Sequence, residues 1–498
     1  IDQRIAAGWR EAGVEPSPVA DDAEWFRRLH LDLVGRIPSR ERLLAFLKDT
    51  SPNKRQRWVD RLLDDPDYVG HWATVWTNTL VGRTPRGDAD RDALERFLRR
   101  ELHRNRPWNE IVYEFIAAEG DAEENGATNF LLAHLNNQAV PATAITARVF
   151  LGLQLQCTQC HDHPFNDWKQ QQFWQFNSFF QQARKVVRKN GQGGRVVLID
   201  RSDAGPTYFE DRRGVVHVAL PEFGGHRVEP RPNVRLRAEL ARIVAFEDNR
   251  QLARAFVNRM WRHFLGYGFT AVVDDMGPHA AVSHPELLEG LADAFIASGF
   301  DVKQLIRWIC NSRPYQSTSA ATPDNLADDP AKGTSPLFTR MYPRAMTAEQ
   351  VYDSVLTAAG LTLDADPQWQ TARKRRAQWI RRFVMAYDTE ENDEAVVFAG
   401  TIPQALDLMN GELVDQILTP RPNNLLGRLL RENRPLLDQL DTIALSVVSR
   451  HATARERQAF ANLLRRSTGD VAPRSLRLTF LQDAFWAYLN SAEFIIIH

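Results

Sequence analysis

Asp21-Asp22-Ala23-Glu24-Trp25-Phe26-Arg27-Arg28-Leu29-His30-Leu31-Asp32-Leu33 sets the pattern for most of this chain. Trp25, Leu29 and Leu33 recur every four residues, which places them on one face of an α-helix. Asp21 or Asp22 is a natural N-cap for it. Ser39 repeats the signal ahead of Leu43, Leu44, Phe46 and Leu47, with Ile37-Pro38 as the break between the two helices. Further breaks fall at Pro16–Pro18, Ser51-Pro52, Pro66, Gly82–Pro85 and Pro107, so the chain to about Phe180 reads as a succession of ordinary globular helices.

From about Val186 to Pro232 the texture changes. Val196-Val197-Leu198-Ile199, Pro206-Thr207-Tyr208-Phe209 and Val215-Val216-His217-Val218 are short β-branched or aromatic runs, which predict a small hairpin or sheet. Gly191-Gln192-Gly193-Gly194 reads as a turn, since it lacks the full phosphate-loop fingerprint. Helical patterning resumes at Val234 and continues to Phe494, with Ser317–Ser335 expected as a surface excursion. The expected fold is mainly α: a helical domain over 1–185, a β insertion over 186–232 and a second helical domain over 233–498.

The chain has 498 residues, 43% of them hydrophobic, and a formal net charge of −1. This composition is that of a folded globular protein, and its balanced charge argues against a nucleic-acid binder. No apolar run is long enough for a transmembrane segment. Of thirteen tryptophans most, Trp72 and Trp76 among them, fall at helical spacing and are read as core. Arg373–Arg376 and Arg381-Arg382 are balanced by an acidic run from Asp388 to Glu394, so mutual neutralisation or solvation is expected. Cys310 is read as a buried structural thiol.

Chemistry concentrates at Cys157-Thr158-Gln159-Cys160-His161-Asp162-His163-Pro164-Phe165. With three Cys and 13 His, a C-x-x-C-H string arises by chance about once in two thousand such compositions. On a helix the two sulfurs and the His161 imidazole share one face. That suits a haem c held by Cys157 and Cys160, with His161 on the iron. Pro164 takes His163 out of helical geometry. The same residues admit two other readings. One is a zinc or other transition-metal centre on Cys157, Cys160, His161 and His163; the other is a local disulfide.

Candidates for a second axial ligand are His163, His134, His71, Met276 and His284. Asp274-Asp275-Met276-Gly277-Pro278-His279 gathers acids and an imidazole in one loop, a pattern suited to a metal or to acid/base work. Ser283-His284-Pro285-Glu286 reads first as a helix-capping box.

Phe150-Leu151-Gly152-Leu153-Gln154-Leu155-Gln156 leading into the cysteine motif, and Arg27 to Pro38 before it, resemble the planctomycete cytochrome-like domain. Val257-Asn258-Arg259-Met260-Trp261-Arg262-His263-Phe264, Ser312-Arg313-Pro314-Tyr315-Gln316 and Leu489-Asn490-Ser491-Ala492-Glu493-Phe494 resemble the planctomycete surface domain that follows it. Asn166 departs from the Asp common in that family after His-Pro-Phe. The resemblance implies an exported protein, so a periplasmic or extracellular location is expected after removal of a leader that this chain does not show. Electron transfer to a redox partner protein, or redox chemistry on a small-molecule substrate, is the expected activity. A metal-dependent hydrolase or lyase and a structural surface module are the alternatives.

Overall fold

The computed structural model describes residues 1–84, 87–190, 193–201, 205–361, 369–385, 402–432, 434–467 and 474–498. The Asp21 carboxylate accepts the backbone N–H groups of Ala23 and Glu24 at 2.9 and 2.8 Å, and helix Asp22–Val34 starts there. Ser39 Oγ does the same for Arg42 N–H, opening helix Arg40–Lys48. Both caps predicted from the sequence therefore form. Asp21→Ala is expected to cost about 1 kcal/mol, because two N–H groups of the first turn lose their acceptor. A thermal melt checks it.

The described residues form 24 α-helices and only small sheets, so the fold is mainly α as expected. No helix among them is long and apolar enough to cross a membrane. They pack as two compact units, each built from three separate stretches of chain. One comprises residues 1–16, 69–315 and 321–339; the other comprises 17–68, 316–320 and 340–498.

In the first unit Trp76, Trp108 and Phe256 pack with ring centroids 4.2 and 4.6 Å apart along the series, and Phe150 stacks on Phe115. Trp72 and Trp76 are buried, in agreement with their helical spacing. The β region also forms. Strands Ala183–Asn190 and Gly193–Asp200 pair antiparallel, from Ala183 opposite Asp200 to Asn190 opposite Gly193. Gly120–Asp121 adds a short edge. Two ribbons follow, Thr207–Glu210 with Val216–Ala219 and Glu222–Phe223 with His226–Arg227. The turn expected at Gly191 and Gln192 lies outside the described residues.

One expectation in this unit is refined and another corrected. Most of the 321–335 part of the expected surface excursion is exposed, as its polarity suggested, but the loop is pinned from below: Asp328 is buried and accepts Leu337 N–H, Thr339 N–H and the Thr339 hydroxyl at 3.0, 3.0 and 2.6 Å. The polar composition serves a surface loop held by one buried carboxylate. The Ser283-x-x-Glu286 capping box does not form. Helix Pro285–Ala297 has His284 at its N-cap with no side-chain cap bond, while Glu286 pairs with Arg4.

The second unit packs helices Ala348–Ala358, Leu436–Val447 and Arg474–Leu489 around Val351, Val355, Leu440, Ile443, Leu481 and Phe485. In helix Trp369–Met385, Arg376 makes a two-pronged bond to Asp353 at 2.8 and 2.6 Å. The acidic run Asp388–Glu394 lies outside the described residues. Cys310, in the first unit, is fully buried, as its apolar setting predicted.

Candidate functional site

Helix Val140–Leu151 ends at Gly152, whose φ of 63° is left-handed. Gly152 N–H reaches the Arg148 carbonyl at 3.2 Å and Leu153 N–H the Ala147 carbonyl at 3.0 Å, which completes the cap. Leu155 then turns inward. Thr158, fully buried, donates both its N–H and its hydroxyl to the Leu155 carbonyl at 2.9 and 2.6 Å. These bonds wind Gln156–Gln159 into a single 3₁₀ turn.

The motif is therefore not on an α-helix, as the sequence suggested, because the glycine cap stops the helix before it. The 3₁₀ turn has a similar result for the cysteines, since residues three apart eclipse each other. Cys157 and Cys160 are both exposed free thiols. Partial loss of solvent and the nearby Asp275 charge push the Cys157 thiol up, so it stays protonated at neutral pH and is a poor free nucleophile.

The next residues fix the imidazole. His161 Nδ1 lies 2.7 Å from the Asp162 carbonyl oxygen, so Nδ1–H donates there and Nε2 keeps its lone pair. The Asp162 carboxylate accepts Gln170 N–H at 3.0 Å and pairs with Lys169 at 3.1 Å. Those bonds, the Gln170 N–H first, pull Asp162 below the usual carboxylate range. The Gln170 side chain donates to the carbonyls of Gln159 and Glu210, and Trp174 Nε1 also donates to Gln159 at 3.0 Å. Helix Gln170–Ser178 thus holds the turn from behind. His163 N–H closes the loop on the Trp168 carbonyl at 2.8 Å, and Phe165 stands 74% exposed at its tip.

A second segment joins this loop from far along the chain. Met276 N–H donates to the Gly152 carbonyl at 2.7 Å. Asp274, buried, pairs with Arg148 at 3.5 Å and with Arg259, anchoring the segment. His279 comes to rest beside His163, ring centroids 5.4 Å apart. Its Nε2 is 3.0 Å from Asp275 Oδ2 and its Nδ1 is 3.3 Å from Asn166 Nδ2. Sequence reasoning placed Asp275 and His279 in a chemically rich loop but did not bring them to the cysteine motif. The Asp-x-x-x-His spacing carried the local pairing; nothing in it carried the fold across 113 residues.

The other ligand candidates are dispersed. Met276 is buried, its sulfur packed beside Gly152. His134 is buried with Nε2 at 2.9 Å from the Leu80 carbonyl and its ring edge-on to Phe130. His71 packs beside the rings of Trp72 and His263, which lie 4.6 Å apart. His284 lies among Phe269 and Phe338, with Nδ1 at 3.1 Å from Ser283 Oγ, and burial lowers its affinity for a proton. Of the five, His163 and Met276 belong to the segments that meet at the motif. Among the described residues no group of three or more His, Cys, Asp or Glu side chains is arranged to hold a metal ion.

Residues 1–185 match the family model PSCyt2, described as a protein of unknown function (DUF1549), and residues 236–379 match PSD1, described as a protein of unknown function (DUF1553). The two matches flank the β region and support a two-domain arrangement. No curated protein and no solved structure matches the chain.

Proposed function

We propose that this chain is an extracytoplasmic c-type haem protein, whose one haem Cys157 and Cys160 would attach and His161 would hold by its iron. The observation that carries the reading is the state of His161. Its Nδ1 is tied to the Asp162 carbonyl, so its Nε2 is left as the ligating nitrogen, beside two exposed thiols on one turn. A backbone carbonyl on the far nitrogen is the usual partner of a metal-bound histidine. The exposed Phe165 ring adds apolar surface on the same loop. The cytochrome-like family name of residues 1–185 points the same way.

When bound, haem supplies one-electron chemistry. The chain's own residues hold the turn: Thr158 and Leu155 pin it, and Gln170 and Trp174 fix the Gln159 carbonyl. We assign the activity to electron transfer with a redox partner protein or to redox chemistry on a small-molecule substrate. Residues 1–185 and 233–498 are read as its two inherited modules, joined by 186–232.

Protein made in a host that matures c-type cytochromes is expected to be red, with a Soret band that stays on the polypeptide through acid–acetone extraction. Cys157→Ser with Cys160→Ser should release all of the colour, whereas His161→Ala should leave the attachment and shift the band. Colourless protein with both thiols intact, or stoichiometric zinc without iron, overturns the reading.

A further inference from the structure

His163 and His279 form a pair that the haem reading does not use. Their ring centroids are 5.4 Å apart with planes inclined by 37°. Two imidazoles bound tetrahedrally at about 2.0–2.1 Å per Zn–N bond would have centroids roughly 5.2 Å apart. The observed spacing is close to that of a chelating pair.

Each ring is also oriented through one nitrogen, leaving a lone pair on the other. His279 Nε2–H donates to the Asp275 carboxylate at 3.0 Å, so Nδ1 is the acceptor nitrogen, with Asn166 Nδ2 at 3.3 Å. His163 Nδ1 accepts Phe165 N–H at 3.2 Å, and the Gln154 backbone lies beside the same ring. A histidine whose far N–H is held by a carboxylate or a carbonyl has the outer-shell arrangement of a metal ligand. The displaced partners would be two longer contacts from amide donors.

Gly277 keeps the slot open. A Cβ there would stand 2.9 Å from His279 Nδ1 and Cε1 and 3.2 Å from Asn166 Nδ2. Any side chain at 277 would therefore push against the very nitrogen that carries the lone pair. The His279 side chain is 23% exposed, so an ion can enter from solvent.

We propose that His163 and His279 bind a divalent transition-metal ion of the zinc or copper class through their Nδ1 atoms. Asp275 orients the His279 ring, and water fills the remaining positions. Imidazole suits these ions, whereas calcium and magnesium prefer oxygen donors. Neither cysteine and not His161 takes part, so this site stands or falls apart from the haem.

The test is titration of the chelator-treated full chain with Zn(II) against a chromogenic competitor, and with Cu(II) followed by electron paramagnetic resonance. One equivalent of each ion is expected to bind, the copper spectrum showing coupling to two nitrogens. His163→Ala and His279→Ala should each abolish saturable binding, and Asp275→Asn should weaken it about 10–100-fold. Asn166→Asp, which sets a carboxylate beside His279 Nδ1, should tighten it. This gain keeps the test decisive if a histidine variant fails to fold. The Cys157→Ser/Cys160→Ser double variant should bind as the parent does. No saturable binding by the parent, binding that survives both histidine replacements, or binding lost with the sulfurs overturns the proposal.

Discussion

Arg237→Met is expected to destabilise the unit that carries the cysteine motif by about 3–5 kcal/mol, read as a lowered midpoint in urea. Arg237 is fully buried and Asp200 nearly so. Its Nε donates to Asp200 Oδ1 at 2.7 Å, and Nη1 donates to the carbonyls of Ile116 and Ala118 at 2.8 and 3.0 Å. One guanidinium thus ties the end of the hairpin strand Gly193–Asp200 to the C-terminal end of helix Trp108–Ala117. Methionine fills much of the volume but leaves two carbonyls without that donor and the buried Asp200 carboxylate with only the more distant Arg235 Nε at 3.6 Å. Removing the other charge as well, in Arg237→Met with Asp200→Leu, should recover a large part of the loss. A single replacement within about 1 kcal/mol of the parent would show that water reaches the pair.

Gly152→Ala is expected to cost about 2–4 kcal/mol, from the left-handed backbone and from overpacking. The added Cβ would stand 2.9 Å from Met276 Sδ and 3.1 Å from its Cγ. The same residue's carbonyl receives Met276 N–H, so displacing Met276 also moves the segment that delivers His279. Met276→Ala in the same chain removes the clash but not the backbone strain. The double variant should therefore melt higher than the sum of the two single effects predicts. Strict additivity in thermal melts would refute the close packing of Gly152 on Met276.

Local signals in the sequence were reliable where a short-range bond decides the structure. Asp21 and Ser39 cap the helices they precede, and the β-branched runs near Val196 and Val216 form strands. Reasoning failed where a distant group competes for the same side chain. Glu286 could have completed a capping box with Ser283, but Arg4 takes it. Asp328 looked like loop polarity, yet Leu337 and Thr339 use it as a buried anchor. At the candidate site, the cysteine motif and its adjoining histidine were plain in the chain. Their 3₁₀ geometry was hidden, because Gly152 could be read either as a helix interior residue or as its end. The approach of His279 to His163 depends on Asp274 meeting Arg148 and Arg259, which no periodicity reports.

The alternation of the chain between its two units bears on how the protein can be made. Residues 17–68 belong with 340–498, and residues 1–16 belong with 69–315 and 321–339. During synthesis, the early helices must wait for the last third of the polypeptide before their own core can close. Fragments cut at a family boundary would separate partners that mature only together. Expression trials should keep the whole chain and, if division is needed, co-produce the pieces for complementation.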